Sequence, residues 1–337
     1  MKIWIRIVLT VCIGASLFLF IRATDFHKVV SSIEQIGYQF IFLLLITFTA
    51  YFFGTLSWQY CMGKSSRNVS PGRLFLIRHI GETVSLINPA SIVVGETVKV
   101  FLLRGQGVEK KTAIASILVS RTVMIITQLV LFTTAVMIAA TDHHMLKLEY
   151  NQESIFLIIL IVTVLTALLV LFRQQIIKIV IKTKAGTWLK NQTTAWGSKI
   201  KEIKTEIHYL LLQHRRQLFI ATMFAAVHWL IGSLEFFFIL KFLGVKITVI
   251  KAIIVDMGVI FFKSAGAFIP GQIGIEEYGN KIMLAAIGIP GTEIWVTASI
   301  LRRARQLFWI AVGIAIYWLL FKKRKIESRN GNTVCHP

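Results

Sequence analysis

Residues 35–63 read QIGYQFIFLLLITFTAYFFGTLSWQYCMG, 29 positions without one charged side chain. About 20 apolar residues in a helix cross the hydrocarbon core of a bilayer, so this stretch predicts a membrane span. Working outward, the runs 7–21, 154–172 and 217–234 also carry no Asp, Glu, Lys or Arg. The apolar segments together give six full spans, about 3–21, 38–62, 113–140, 154–172, 218–240 and 293–321. Over the 337 residues, 55% are hydrophobic and 16% charged. Soluble domains average about 25% charged residues, so this composition argues against a soluble enzyme. The fold class expected is an all-α polytopic membrane protein.

The net charge of +21 does not point to nucleic acid, because of where the charge lies. Ten Lys/Arg fall within 173–216 and four within 322–325, whereas 141–153 has one lysine against three acids. Basic loops stay on the cytoplasmic side. Loops 64–78, 99–111 and 173–216 and both termini are therefore expected inside, and 22–36, 141–153 and 241–251 outside. The organisation expected is a single integral-membrane domain, 1–321, with a basic cytoplasmic tail, 322–337, in a bacterial-type plasma membrane. Within the linker 173–217, Ile200, Ile203, Ile207 and Leu210 recur at helical spacing, the pattern of an interfacial amphipathic helix or a solvated loop helix.

Two shorter uncharged segments, 83–95 and 264–275, each contain a proline, Pro89 and Pro270. Apolar stretches of about 10–14 residues suit re-entrant or buried segments. Short Pro/Gly-interrupted segments at corresponding places in two halves mark transporter binding sites. A shift of 181 residues superposes Pro89 on Pro270, Glu96 on Glu277, Gly107 on Gly288 and Arg121 on Arg302. Between 89 and 121 it gives six identities in 33 positions. The charge-derived orientations run oppositely in the two copies, so the repeat is expected to be inverted, with copy A about 38–140 and copy B about 218–321. Each copy is a span, a broken helical hairpin and a span. The breaks fall at Pro89, Gly95, Pro270, Gly271 and Gly274. A plain proline kink in a packed helix is the alternative for each.

Ionisable groups at bilayer depth cost several kcal/mol unless paired or hydrated, and are site candidates. Glu82, Glu96, Arg121, Asp256, Lys263, Glu276, Glu277, Arg302, Arg303 and Arg305 all interrupt or flank apolar runs. Glu96 and Glu277 each precede an arginine, Arg121 and Arg302, by 25 residues, which predicts that each glutamate pairs with an arginine, within its own copy or across the pseudo-axis. Snorkelling of the arginines to the interface is the competing reading. Cys12, Cys61 and Cys335 are scattered, and the eight histidines show no metal-ligand spacing, so neither a metal nor a cofactor is expected.

The string Gly95-Glu96-Thr97-Val98-Lys99, followed by Arg104, Gly107 and Arg121, and the string Pro270-Gly271-Gln272-Ile273-Gly274-Ile275-Glu276-Glu277, followed by Gly288, Arg302 and Arg303, resemble the lysylphosphatidylglycerol synthase transmembrane-region family. The similarity covers roughly residues 5–320. Family members commonly have a second glycine where Gln272 stands. The resemblance implies translocation of a lipid between leaflets, by a stand-alone member without the aminoacyltransferase domain. Its partners would be membrane lipids, foremost an anionic phospholipid, with a homo-oligomer open. Glu96, Arg121, Asp256, Glu276, Glu277, Arg302 and Arg303 would line the headgroup path. Arginine suits that role because its planar fork binds phosphate bidentately. No catalytic motif stands out, so an enzyme is not expected. Two alternatives remain: a secondary transporter of a small anion, and an intramembrane lipid-modifying enzyme or its accessory subunit.

Overall fold

The computed structural model of the chain describes residues 26–87, 91–141, 194–265, 272 and 274–331. The predicted spans 3–21 and 154–172 and the breaks Pro89, Pro270 and Gly271 lie outside these residues. Among the described residues the chain is helical, with ten α-helices and one short 3-10 turn. They are α1 (Phe26–Ile36), α2 (Gln39–Tyr60), α3 (Pro71–Ile87), α4 (Ser91–Arg104), α5 (Lys110–Thr141), α6 (Thr194–Gln213), α7 (Arg215–Phe242), α8 (Val249–Ala265), α9 (Ile275–Ala286) and α10 (Thr292–Gly331).

Three segments, Gln39–Tyr60, Lys110–Ala139 and Arg215–Phe242, are long and apolar enough to cross a membrane. They coincide with the predicted spans 38–62, 113–140 and 218–240. The predicted span 293–321 lies inside α10, where Arg302, Arg303 and Arg305 lower the hydropathy. Polar side chains within these helices bond locally: Thr47, Thr55 and Thr127 each donate to the carbonyl four residues back. That device satisfies a hydroxyl without a partner from another helix.

The long helix α2 packs along α7, and the short helices pair as α3 with α4 and α8 with α9. Glycine sets the closeness of both short pairs. A Cβ at Gly95 would collide with Ser85 Oγ and the carbonyl oxygen of Gly81, so α3 and α4 touch backbone to backbone. In the other pair, a Cβ at Gly279 would stand 3.1 Å from Phe262 Cβ, and one at Gly258 would meet the Met283 side chain. Small residues at helix crossings admit this approach.

The turns after α4 and α9 repeat one geometry. Gly107 (φ 79°) and Gly288 (φ 85°) sit in the left-handed region. The next amide reaches back to a carbonyl five residues earlier, Val108 to Leu103 at 3.3 Å and Ile289 to Leu284 at 2.9 Å. This is a glycine-terminated Schellman stop. One apolar core joins α2, α3, α4 and the start of α5, with Leu210 of α6 against it. Another joins the end of α5 to α7, α8 and α9. The amphipathic stretch 199–212 lies within α6, whose Glu206 accepts from Thr112 Oγ1 at 3.0 Å.

Candidate functional site

Two clusters of charge form where the short helices meet the long ones. In the first, α3 supplies Glu82, α4 supplies Glu96 and Lys99 one turn apart, and α5 supplies Arg121. Lys99 Nζ contacts Glu82 Oε1 at 2.6 Å and Glu96 Oε1 at 3.2 Å. Arg121 donates from Nε to Glu96 Oε1 at 2.8 Å and from Nη2 to Glu82 Oε1 at 3.2 Å, and Nη2 also contacts Glu96. The predicted Glu96–Arg121 pair is therefore present, as part of a four-residue network. Arg121 does not simply snorkel, although its side chain is 44% exposed and that of Glu82 38%.

Arg78 stands one turn before Glu82 on α3. Its Nη1 donates to the Tyr51 carbonyl at 2.5 Å, and its guanidinium lies 5.7 Å from the Tyr51 ring centroid. These charged groups, with Gly54, Trp58, Ile117, Ser120 and Met124, line an open cleft of about 40 Å³. Lys99 is itself buried, with its Nζ 5.8 Å from the Trp58 ring.

The second cluster is closed. Arg302 of α10 donates from Nη1 to Asp256 Oδ1 at 3.0 Å and from Nε to Glu276 Oε1 at 3.1 Å. Lys263 Nζ reaches the other oxygen of Glu276 at 3.1 Å. Ser233 Oγ donates to Asp256 Oδ2 at 3.2 Å, and the Arg302 guanidinium sits 4.2 Å from the Phe236 ring centroid. The side chains of Arg302, Asp256 and Glu276 are only 5%, 7% and 8% exposed. Beside them, Arg305 Nε and Glu235 Oε1 form a buried ion pair at 2.5 Å without hydrogen-bond alignment.

The second half corrects the predicted pairing by one residue. Glu277 pairs with Arg303, not Arg302, and its other oxygen accepts from the Gly274 N–H at 2.8 Å at the start of α9. Successive helix residues diverge by about 100°. Glu276 therefore faces the interior with Arg302, while Glu277 faces Arg303 and the helix end. Three members of the clusters were not singled out from the sequence. Arg78 and Lys99 were assigned to the ends of basic loops, but both lie within helices. Glu235 follows directly on the uncharged run 217–234, and its position inside α7 was the available signal.

Among the described residues no group of His, Cys, Asp and Glu could hold a metal ion. An all-helical membrane protein whose polar core consists of two ion-pair clusters between helix pairs is the class that the fold and site define. A family model described as the lysylphosphatidylglycerol synthase TM region matches residues 3–314, and the chain belongs to that family. The family ties it to the membrane and to lipid-related function. Neither the curated proteins nor the solved structures compared with the chain include a match to it.

Proposed function

We propose that this protein moves a phospholipid or glycolipid headgroup between leaflets as a flippase or scramblase, and is not itself an enzyme. The observation that carries the reading is the open charged cleft. Arg78, Glu82, Glu96, Lys99 and Arg121 line one polar concavity among helices otherwise apolar enough for lipid. A headgroup entering it exchanges hydration for charged partners while its acyl chains stay in the bilayer. Family membership supports a lipid as the cargo. The small-anion transporter would use the same cleft, and the assay below separates the two.

In this reading the chain has six full spans and two re-entrant hairpins, α3–α4 and α8–α9, related as an inverted repeat with both termini cytoplasmic. Support comes from the order long, short, short, long in α2–α5 and again in α7–α10, and from the matching turns at Gly107 and Gly288. The deciding experiment reconstitutes the purified protein in vesicles and follows headgroup-labelled lipids with a membrane-impermeant quencher. Accelerated loss of inner-leaflet signal is expected. Protein-dependent uptake of a water-soluble anion without lipid exchange would replace the lipid with a solute. Single cysteines at the exposed positions Glu109 and Glu293 should label from opposite sides of the membrane. Native Cys12, Cys61 and Cys335 are replaced first. Labelling of both sites from one side would rule out the inverted repeat.

A further inference from the structure

We infer that the open cleft is a binding site for a singly charged phosphodiester, with Arg78 as the residue that receives it; this rests on the lipid-translocation reading and names its substrate class. The cleft holds three cations, Arg78, Lys99 and Arg121, against two carboxylates, Glu82 and Glu96. The second cluster holds Lys263, Arg302 and Arg305 against Glu235, Asp256 and Glu276, three of each sign. One positive charge is therefore left over in the cleft and none in the closed cluster.

The surplus falls on Arg78. Lys99 and Arg121 share both carboxylates, whereas the hydrogen bond made by Arg78 runs to the Tyr51 backbone carbonyl. A guanidinium carries five N–H donors, so several remain to be used. Gly54 makes room for the guanidinium at the cleft: a Cβ there would stand 2.6 Å from Nη1 and 2.8 Å from Nη2 of Arg78. An uncompensated charge away from water is costly, and a bound anion removes that cost. The two non-bridging oxygens of a phosphodiester match the guanidinium fork.

Charge also selects among lipids. A singly anionic headgroup brings the cleft to neutrality. Lysylphosphatidylglycerol, with two ammonium groups against one phosphate, would add to the excess. On the other side of Arg78 and Glu82 lies an apolar groove walled by Tyr51, Thr55, Phe75 and His79. At about 10 Å³ that groove does not enclose a group, but its apolar wall gives the first methylenes of a lipid a surface to lie against, which a free phosphodiester would not use.

The test measures binding rather than transport. Full-length protein in nanodiscs of phosphatidylcholine is titrated with phosphatidylglycerol, with lysylphosphatidylglycerol and with water-soluble glycerophosphoglycerol, and bound ligand is read by native mass spectrometry. Phosphatidylglycerol should bind at least about tenfold more tightly than the lysyl lipid. Arg78→Gln should lose at least about tenfold in that affinity, with Arg78→Lys intermediate. Ser120→Asp adds a carboxylate to the cleft while keeping Arg78, and should weaken phosphatidylglycerol binding as well. It decides the matter if Arg78→Gln does not fold. Wild-type affinity in the folded variants, or tighter binding of the lysyl lipid, overturns the proposal. Equal affinity for glycerophosphoglycerol would keep the phosphodiester site and remove the lipid as its source. Binding through Arg78 without leaflet exchange would leave the site standing and sink the translocation reading. Undiminished exchange and binding in Arg78→Gln would do the reverse.

Discussion

The two charged clusters use the same kinds of side chain on corresponding helices and reach opposite conditions. In the α8–α9–α10 cluster each acid has a base, and Phe236 and Ser233 fill the remaining space around Arg302 and Asp256. The α3–α4–α5 cluster leaves Arg121 and Glu82 partly exposed and carries one cation too many. A balanced, closed network resists change because any rearrangement strands a charge in an apolar surrounding. An unbalanced, open one can trade partners with a ligand. Under the proposed function, the second half holds the fold and the first binds.

The sharpest way to break this division is Arg302→Gln. It strands Asp256, and leaves Glu276 only Lys263, at a buried site, so a loss of about 3–5 kcal/mol is expected. It would appear as a lower melting temperature and a poor yield of monodisperse protein in detergent. A variant that melts like wild type would show that the closed cluster does not hold the fold.

Next in size is Gly95→Ala, which drives a methyl into Ser85 and the backbone of Gly81 and should cost about 1–3 kcal/mol by overpacking. Gly279→Ala meets only the Phe262 side chain, at 3.1 Å, and should cost less. Thermal melts of the two variants side by side give the order. The reverse order would mean that the α3–α4 contact is the looser of the two.

Arg121→Gln sharpens the comparison from the open side. Lys99 still bridges Glu82 and Glu96, and Arg121 is partly solvated, so stability should fall by no more than about 1 kcal/mol. Leaflet exchange should drop well below wild type in the same preparation. Exchange at the wild-type rate would make Arg121 an anchor and not a lining residue. Comparable in size is Glu277→Gln, where the amide oxygen can still accept from Gly274 but the Arg303 ion pair is lost at a partly exposed helix start. A change of about 1 kcal/mol in the melt is expected. A collapse like that of Arg302→Gln would place Glu277 in the structural network after all.

The sequence alone determined the helical class and the positions of three membrane-length helices, and it offered Glu96–Arg121 as a pair beside the snorkelling alternative. The spans follow from a local property, run length without charge; the packing of α4 against α5 then chose the pair. The sequence also superposed Gly107 on Gly288, but that both end a helix in the left-handed region, which glycine enters at no steric cost, came from the structure. Tertiary structure decided which carboxylate Arg302 meets, that Arg305 meets Glu235 across two helices, and that Arg78 and Lys99 belong to a polar site and not to a basic loop. The physical reason is rotational. One residue along a helix turns a side chain by about 100°. Glu276 and Glu277 are adjacent in sequence yet face different partners, and only the packing of α9 between α8 and α10 chooses between them. Charge balance, which separates the open cleft from the closed cluster, is likewise a sum over faces that meet only when the helices assemble.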